Sequence, residues 1–409
     1  MFKKFLPLLT LALAGISHAQ QAQQAQQAQQ STPVILISLD GFRPDYLERG
    51  VAPNLNRLAA GGARAVAMRP SFPSVTFPNH YTLVTGLRPD HHGIVDNTMY
   101  DAAIPGRFTI SDAKMVTDRR WWDQAEPVWV TAERNGVHAG VMFWPGSEAD
   151  IHGVRPTMAP AFNDDLTAAQ RVDTLLSWLD RPADQRFDFM TLYMDDVDHA
   201  GHKFGPRADE TTQAVATVDQ AIGRLLNGLE SRHVHANLVI VSDHGMATVS
   251  KDRVIRMDRI APAGSYREVS NGPYAAMDAV GGKADRLEAA LLKPQQHMQC
   301  WRKDQIPERL AYGSNARVPM FLCLAEPGWS IVFNDKSAGK VKGGKHGYDN
   351  MAPDMAATFV AFGPAFKPGV VLPAFDNVDV YPLLMRLIGL QPLPSDGDIT
   401  PLLPALAAP

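Results

Sequence analysis

Two apolar stretches of the chain each end in side chains that could bind a metal ion. The run over residues 33–39 leads to Asp40, and the run over residues 238–242 leads to Asp243 and His244, with a glycine after each. Strands that are buried on both faces of a parallel sheet show this kind of continuous apolar run. Because ligand groups of open α/β sheets lie just past the carboxyl ends of the strands, the two runs predict a metal site at one sheet edge.

Further ligand candidates lie elsewhere in the chain. An acidic cluster over residues 195–202 contains aspartates and histidines, His346 lies between glycines, and Thr76 lies in a hydroxyl-rich turn. Carboxylates and imidazoles together suit zinc, although manganese or iron would fit the same ligands. Six side chains with nitrogen or oxygen ligand atoms are too many for one tetrahedral ion with an open position. They suit two ions with three ligands each, the arrangement that phosphatases and nucleases use.

Within the acidic cluster, the spacing does not identify the ligands. Asp195 and His199 are four residues apart, and so are Asp198 and His202. Residues four apart lie on the same face of a helix, so either pair could face one ion. At the level of spacing, the choice between the two pairs stays open.

Thr76 is the candidate nucleophile. Proline is tolerated in the first turn of a helix, so we expect a helix to begin at Pro78, with Thr76 just before it. A hydroxyl there faces free backbone N–H groups and the positive end of the helix dipole, which together bind a phosphate. The alternative is that Thr76 is only a helix N-cap, and on local chemistry both interpretations stand.

Strand-like runs alternate with helical patterns along the chain. Besides the first two runs, buried strands are expected over residues 138–143, 187–194 and 357–362. Apolar residues recur at helical spacing over residues 53–60, 166–179 and 210–229. This alternation predicts an α/β fold with a mostly parallel central sheet between helical layers. Glycine, proline and short mixed runs interrupt it over about 261–341, where we expect a small inserted subdomain.

The N-terminus has the features of an export signal. Two lysines precede an apolar segment over residues 5–16, and residues 17–19 form a small-x-small cleavage site. The segment is too short to span a bilayer as a mature helix, although an uncleaved anchor is the alternative. We expect a cleaved signal peptide over 1–19, a disordered Gln/Ala-rich spacer over 20–32 and a catalytic domain over 33–409. The sequence therefore predicts an exported protein, periplasmic or secreted.

Composition bears on partners and on redox state. The net charge of −4 leaves no basic footprint, so a nucleic-acid-binding surface is not predicted. Cys300 and Cys323 are the two cysteines of the chain. In an exported protein such a pair favours a disulfide over two buried thiols. Nothing in the sequence indicates an oligomeric state.

Taken together, these fragments resemble the nucleotide pyrophosphatase/phosphodiesterase family of the alkaline phosphatase superfamily. The matching segments run in family order over residues 38–43, 76–81, 85–90, 92–101, 198–206, 242–246, 306–310, 327–329 and 346–350. The resemblance implies an alkaline-phosphatase-like fold. With the export signal, it suggests a bacterial exported member of the family.

The resemblance implies a role for each candidate residue. One zinc ion would be held by Asp198, His202 and His346, and the other by Asp40, Asp243, His244 and the Thr76 oxygen. Thr76 would be the nucleophile, and Asn97 would donate a hydrogen bond to a phosphoryl oxygen. Phe77 and Tyr193 would sandwich a nucleobase, with plain core packing as the alternative. Where relatives often carry acidic residues and a proline before the ligand motif, this chain has aspartates and a valine at 195–197.

These implications predict zinc-dependent hydrolysis of nucleotide phosphodiesters and pyrophosphates to 5′-nucleoside monophosphates through a covalent phosphothreonine. The nearest cation to Thr76 in the sequence is Arg69, and the next residues are Phe77 and Pro78. An uncharged surround favours a singly charged diester over a phosphomonoester dianion. The alternatives are a phosphomonoesterase, a choline-phospholipid phosphodiesterase and a non-catalytic metal-binding protein. A sulfatase is disfavoured because neither cysteine lies in a Cys-x-Pro-x-Arg motif.

Overall fold

The computed structural model describes residues 32–262 and 264–408. The expected signal peptide, and nearly all of the expected spacer, lie outside these residues. Within them, the strands of the main sheet follow the order Val370–Leu372, Ala63–Ala65, Phe359–Phe362, Asn237–Val241, Val34–Leu39, Phe189–Met194 and Ala139–Met142. The last four strands are mutually parallel, and Phe359–Phe362 runs antiparallel beside them. The sheet is therefore mostly parallel, as the alternation of strand and helix patterns predicts.

Helices cover both faces of the sheet because its central strand faces two apolar cores. Ile35, Ile37 and Leu39 pack into one core, and Val34 and Leu36 pack into the other. The helices of the first core are Pro53–Gly61, Ala168–Leu179 and Asp209–Ser231. Those of the second core are Thr76–Thr85, Val128–Arg134 and Val380–Leu387. A strand that is buried on both faces reads as a continuous apolar run, which is why the sequence pattern located it.

A second, antiparallel sheet lies inside the stretch where an insertion is expected. Its strands lie in the order Tyr266–Ser270, Tyr274–Ala279, Phe321–Ala325 and Met298–Arg302, and Ala284–Leu291 is a helix packed against them. Cys300 and Cys323 face each other in register on two of these strands and form the expected disulfide. The bounds of the inserted subdomain stay a prediction.

Shorter α-helices and paired strands lie between these elements. Short helices are Pro89–His92, Ala113–Val116, Asp196–Phe204, Met257–Ile260 and Asp335–Ala338. Paired short strands are Met68–Arg69 with Phe375–Asp376, Thr98–Asp101 with Ile104–Thr109, Ala247–Thr248 with Gly344–Lys345, and Val254–Arg256 with Ser330–Val332. Over the described residues, we find no helix with the length and apolar character needed to cross a membrane.

Candidate active site

Three neighbouring strands end at the candidate site. In register, Leu39 pairs with Met194 on one side, and Ser38 pairs with Val241 on the other, so the strands end at the same level. The residues that follow these ends include three aspartates, at positions 40, 198 and 243, and two histidines, at positions 202 and 244. The parallel sheet therefore gathers at one edge the side chains that the sequence separates by about two hundred residues.

A glycine allows two of the strand ends to approach closely. Gly41 has φ +68°, and a Cβ at this position would lie 3.1 Å from both Cα and Cβ of Asp198. The Gly41 N–H also donates to Oδ1 of Asp243 over 3.2 Å. Glycine is needed here both for the left-handed backbone and for the space against Asp198.

His244 lies at the centre of the first group of candidate ligands. Its Nε2 lies 3.0 Å from Oδ2 of Asp243, 3.4 Å from Oδ1 of Asp40 and 3.3 Å from the Thr76 hydroxyl oxygen. Its Nδ1 lies 2.9 Å from the carbonyl oxygen of Gly245. When Nδ1–H donates to that carbonyl, Nε2 of the neutral ring is free to bind a metal, and the ring orientation is fixed.

The second group consists of Asp198, His202 and His346. The Nε2 atoms of the two histidines lie 3.0 Å apart, and Asp198 lies 3.4 Å from His202 and 3.8 Å from His346. Each Nδ1 faces a backbone carbonyl, that of Gly344 for His202 and that of Ser74 for His346. Both rings therefore direct Nε2 toward the carboxylate, in the orientation that metal-binding histidines adopt.

The buried charges of these two groups fit cations. Oδ1 of Asp40, Oδ1 of Asp198 and Oδ2 of Asp243 are buried and accept no hydrogen bond from the described residues. Burial and the carboxylates of Asp243 and Asp198 raise the pKa of Asp40 well above its usual range. Burial, with His244 and His202 nearby, lowers the pKa of His346 well below its usual range. Buried carboxylate oxygens that accept no hydrogen bond are costly unless they coordinate metal ions, so this donor set fits metal binding.

His80 is a member of the site that the sequence motif contained but that we did not assign. It lies near Asp40 and Asp243, yet both of its ring nitrogens have other partners. Nε2 lies 2.7 Å from the Ser38 hydroxyl, and Nδ1 lies 2.9 Å from the Thr76 carbonyl and 3.5 Å from Asp243. His80 therefore supports the site rather than offering a free ligand atom. Its position four residues after Thr76, on one helix face, was the available signal.

Thr76 lies inside the helix rather than before it. The helix begins at Thr76, and Val75 is its N-cap with extended φ and ψ, so the expected start at Pro78 was wrong. Proline fits this first turn because its missing N–H is one that the helix does not use. The Phe77 N–H donates to Oδ1 of Asn97 over 2.9 Å. This contact orients the Asn97 amide so that its NH₂ group is left to donate elsewhere.

A cavity of about 340 Å³ opens beside Thr76 and Asp40. Its lining includes the aromatic residues Phe77, Phe143, Trp144, Phe162 and Tyr193. The described residues that line it include no lysine or arginine, and Arg69 is paired with Asp376 at 2.6 Å. The Tyr193 hydroxyl donates to Oδ2 of Asp40 over 2.7 Å, so the aromatic lining touches the candidate metal ligands directly.

The structure separates the two pairs that spacing left open. Asp198 and His202 point into the cluster with His346, whereas Asp195 accepts a hydrogen bond from Arg171 over 3.0 Å. His199 is exposed and lines the cavity beside Asp195. Both pairs begin within one helical turn of each other, but they face different neighbours.

Comparison with known proteins identifies the family. The model of the type I phosphodiesterase/nucleotide pyrophosphatase family matches residues 34–349. A protein of Schizosaccharomyces pombe named as an uncharacterized pyrophosphatase/phosphodiesterase is 39% identical over 91% of this chain and 80% of its own length. The chain belongs to this family, whose members are hydrolases, and this confirms the predicted enzyme class.

Vertebrate relatives are longer than this chain. Ectonucleotide pyrophosphatase/phosphodiesterase family member 3 of Bos taurus is 37% identical over 89% of the chain, and the venom phosphodiesterase of Macrovipera lebetinus is 38% identical over 90%. The chain spans less than half of either relative, 43% and 44% respectively. These relatives are fungal and vertebrate, so a bacterial origin stays a prediction.

A solved structure of the family has the same fold. The inactive threonine-to-alanine variant of murine ectonucleotide pyrophosphatase/phosphodiesterase 5, in complex with AMP, superposes with a TM-score of 0.88. It is 32% identical over 92% of this chain and all of that chain. The predicted alkaline-phosphatase-like fold is thereby confirmed.

Proposed function

We propose that this chain hydrolyses nucleotide phosphodiesters and pyrophosphates to 5′-nucleoside monophosphates, with two zinc ions and a covalent phosphothreonine at Thr76. One observation carries the proposal. The Thr76 hydroxyl lies 3.3 Å from His244 Nε2, so it borders the buried carboxylate and imidazole cluster while it lines an aromatic cavity. A nucleophile between a metal-binding cluster and an aromatic cavity whose described lining has no lysine or arginine fits a diester that carries an organic group.

Seven residues would hold the two ions. Asp198, His202 and His346 form one set, and Asp40, Asp243, His244 and the Thr76 oxygen form the other. Zinc bound there would supply positive charge for the Thr76 oxygen and for the phosphoryl oxygens. Although burial opposes ionisation of Asp243, His244 and His80 hold the pKa of this carboxyl below its usual range, which keeps it a charged ligand.

The chain's own groups would carry the reaction in two displacements. Thr76 Oγ1 releases its proton to solvent and attacks phosphorus in line, the bond from phosphorus to the leaving oxygen breaks, and the leaving oxygen takes up a proton from solvent. Water then attacks the phosphothreonine and releases the nucleoside monophosphate, which restores the Thr76 hydroxyl. Asn97 donates through its NH₂ group to a phosphoryl oxygen, because its Oδ1 is already engaged by the Phe77 N–H. A donor fixed in advance stabilises charge that develops in the transition state.

The lining of the cavity favours a nucleotide diester over a phosphomonoester. Phe77 and Tyr193 line it, and stacking on aromatic rings tolerates any base. A dianionic monoester would lack a cationic side chain among the described lining residues. Of the two aspartates considered for a choline headgroup, Asp195 is paired with Arg171, and Asp196 is not part of the lining, but Glu148 and Asp164 also line the cavity. The lining therefore favours a nucleotide diester over a phosphomonoester, and the choline ester is an arm of the substrate panel below.

We also propose that the protein is exported, into the periplasm or the medium. The export signal predicted over residues 1–19 and the disulfide between Cys300 and Cys323 support this location. The vertebrate relatives named as venom enzymes and ectoenzymes are consistent with it. Within the exported protein, residues 33–409 would form the catalytic domain, with an insertion over about 261–341.

Thr76→Ala tests the nucleophile. We expect turnover of a nitrophenyl nucleotide diester to be lost while the protein still binds two zinc ions per chain, measured by elemental analysis. Thr85→Ala is the matched control, because this buried threonine of the same helix donates to the Tyr81 carbonyl, away from the cluster. Hydrolysis by Thr76→Ala at the wild-type rate would exclude the proposed intermediate.

A substrate panel on the zinc-loaded wild type tests the substrate class. The panel compares a nitrophenyl nucleotide diester with the matching nitrophenyl monoester and with nitrophenyl phosphorylcholine. We expect the highest kcat/KM for the nucleotide diester. Faster turnover of the monoester or of the choline ester would assign the corresponding rival activity, and zinc binding without any turnover would indicate a non-catalytic protein.

A further inference from the structure

Arg171 is a buried cation behind the aromatic cavity. It lies in the helix Ala168–Leu179, and its side chain is only 2% exposed. Arginine is almost never fully buried unless it is paired. Arg171 lies on the buried face of an amphipathic helix. The other buried positions of this helix carry apolar residues, among them leucine, valine and tryptophan. A charge kept at such a position needs a structural or functional explanation.

The hydrogen bonds of Arg171 converge on the end of one strand. Nη1 donates to the Tyr193 carbonyl over 3.1 Å and to Oδ1 of Asp195 over 3.0 Å. Nε donates to the Leu166 carbonyl over 2.9 Å. The planar guanidinium therefore ties the strand end that carries Tyr193 to the start of its own helix, which a single ammonium group cannot reproduce.

The guanidinium also contacts the rings that line the cavity. Its central carbon lies 5.3 Å from the ring centroid of Phe143, 5.7 Å from that of Phe162 and 5.9 Å from that of Tyr193. The Phe162 centroid lies 5.0 Å from Phe143 and 6.3 Å from Tyr193. Phe162 is 49% exposed and belongs to no helix or strand. Its ring is held by these contacts, and its N–H donates to Oε1 of Glu148 over 3.2 Å. We call Phe143, Phe162 and Tyr193 the aromatic wall.

We propose that Arg171 is a positioning residue that holds the aromatic wall in place for the base of the substrate. It fixes Tyr193 through the backbone carbonyl, orders Phe162 through its ring contacts and neutralises Asp195 beside the cavity. The hydrogen bonds and ring contacts given above include none of the seven residues that would hold the two ions. This inference rests on the proposed function, because it assumes that a nucleobase stacks on Tyr193.

The test compares substrates with and without a base. Arg171→Lys and Arg171→Met are assayed on the nitrophenyl ester of a nucleoside 5′-monophosphate and on methyl nitrophenyl phosphate, which presents no base. For the nucleotide ester we expect KM to rise about tenfold and kcat to stay within about twofold, as a loss of ordered stacking predicts. For the methyl ester, both parameters stay within about twofold of wild type, since the reacting groups are untouched.

Two controls keep the result interpretable. Arg224→Lys changes a surface arginine that pairs with Asp173, a residue of the helix that carries Arg171. This variant should change kcat and KM for neither substrate. In the second control, the affinity of the Arg171 variants for AMP is measured by calorimetry. It should fall in the same rank order in which their KM for the nucleotide ester rises. If Arg171→Met does not fold, Arg171→Lys carries the test, because it keeps the buried charge.

Each result has one meaning. Equal losses on the two substrates would show that Arg171 is merely structural, and unchanged KM for the nucleotide ester would show that the wall does not depend on it. Both results overturn the inference and leave the proposed function standing. If the wild type itself shows no preference for the nucleotide ester, the proposed substrate class is wrong, and the inference is wrong with it.

Discussion

Replacing Gly41 with alanine should displace Asp198 and damage the site from a position that carries no functional group. Gly41 has φ +68°, and the new Cβ would lie 3.1 Å from Cα and Cβ of Asp198. The left-handed backbone costs an alanine about 1 kcal/mol. The crowding against a backbone atom adds about 1–2 kcal/mol, because Cα of Asp198 can yield only with its helix.

Gly50→Ala is the matched control for the backbone cost. Gly50 has φ +76°, nearly the same conformation, but a Cβ there would meet no atom within 4 Å. We expect Gly50→Ala to lower the free energy of unfolding by about 1 kcal/mol and to leave kcat/KM unchanged. The difference between the two variants isolates the contact with Asp198.

The assay combines urea unfolding with steady-state hydrolysis of a nitrophenyl nucleotide diester by zinc-loaded protein. For Gly41→Ala we expect a loss of about 2–3 kcal/mol in unfolding free energy and a fall in kcat/KM of at least about tenfold, since displaced catalytic geometry costs rate steeply. If Gly41→Ala and Gly50→Ala give the same unfolding free energy and the same kcat/KM, the residues around Gly41 accommodate the new Cβ. The position of Asp198 then does not depend on this glycine.

Two further substitutions test single contacts. Burial lowers the pKa of His92 to about 3, so the unfolded chain takes up this proton first as the pH falls. Stability should therefore decrease below about pH 6.5, by about 2 kcal/mol between pH 8 and pH 5 for this group, and His92→Gln should show a correspondingly smaller loss in urea unfolding. Tyr193→Phe keeps the ring but removes the hydroxyl that donates to Asp40. Zinc affinity by metal titration should fall about tenfold while KM for the nucleotide ester stays unchanged.

Either substitution can contradict its prediction. Equal pH dependence of unfolding in wild type and His92→Gln would mean that His92 is not buried in its neutral form. A higher KM with unchanged zinc affinity in Tyr193→Phe would mean that the hydroxyl serves the substrate and not Asp40.

The parallel core of the fold was predictable because burial on both faces leaves a plain pattern. The strand Val34–Leu39 is apolar at nearly every position, and its end at Asp40 could be located to the residue. The bounds of other elements shifted by a few residues, because helix ends depend on local contacts. At Thr76 the helix begins two residues earlier than expected, since an extended Val75 caps it.

The candidate ligands could be enumerated from the sequence, but their supporting residues could not. Spacing left two pairs open in the acidic cluster, because both satisfy the same helical periodicity. The two pairs differ in the contacts that they make in the folded chain. Asp195 accepts a hydrogen bond from Arg171, and Asp198 lies beside His202. Arg171 was missed because it holds the Tyr193 carbonyl, which leaves no trace in residue type. His80 lies in the sequence motif, but its contacts with Ser38 and the Thr76 carbonyl form only in the folded chain.

The metal-binding and substrate-binding parts of the site meet in one residue. Tyr193 presents its ring to the cavity, donates its hydroxyl to Asp40 and accepts a hydrogen bond from Arg171 at its carbonyl. Loss of the Tyr193 side chain would therefore affect a candidate metal ligand together with the aromatic wall. Activity on one nucleotide substrate cannot separate these effects, because kcat and KM would change together. A diester without a base reports on the metal side alone, so the comparison of the two substrates assigns each loss to its part of the site.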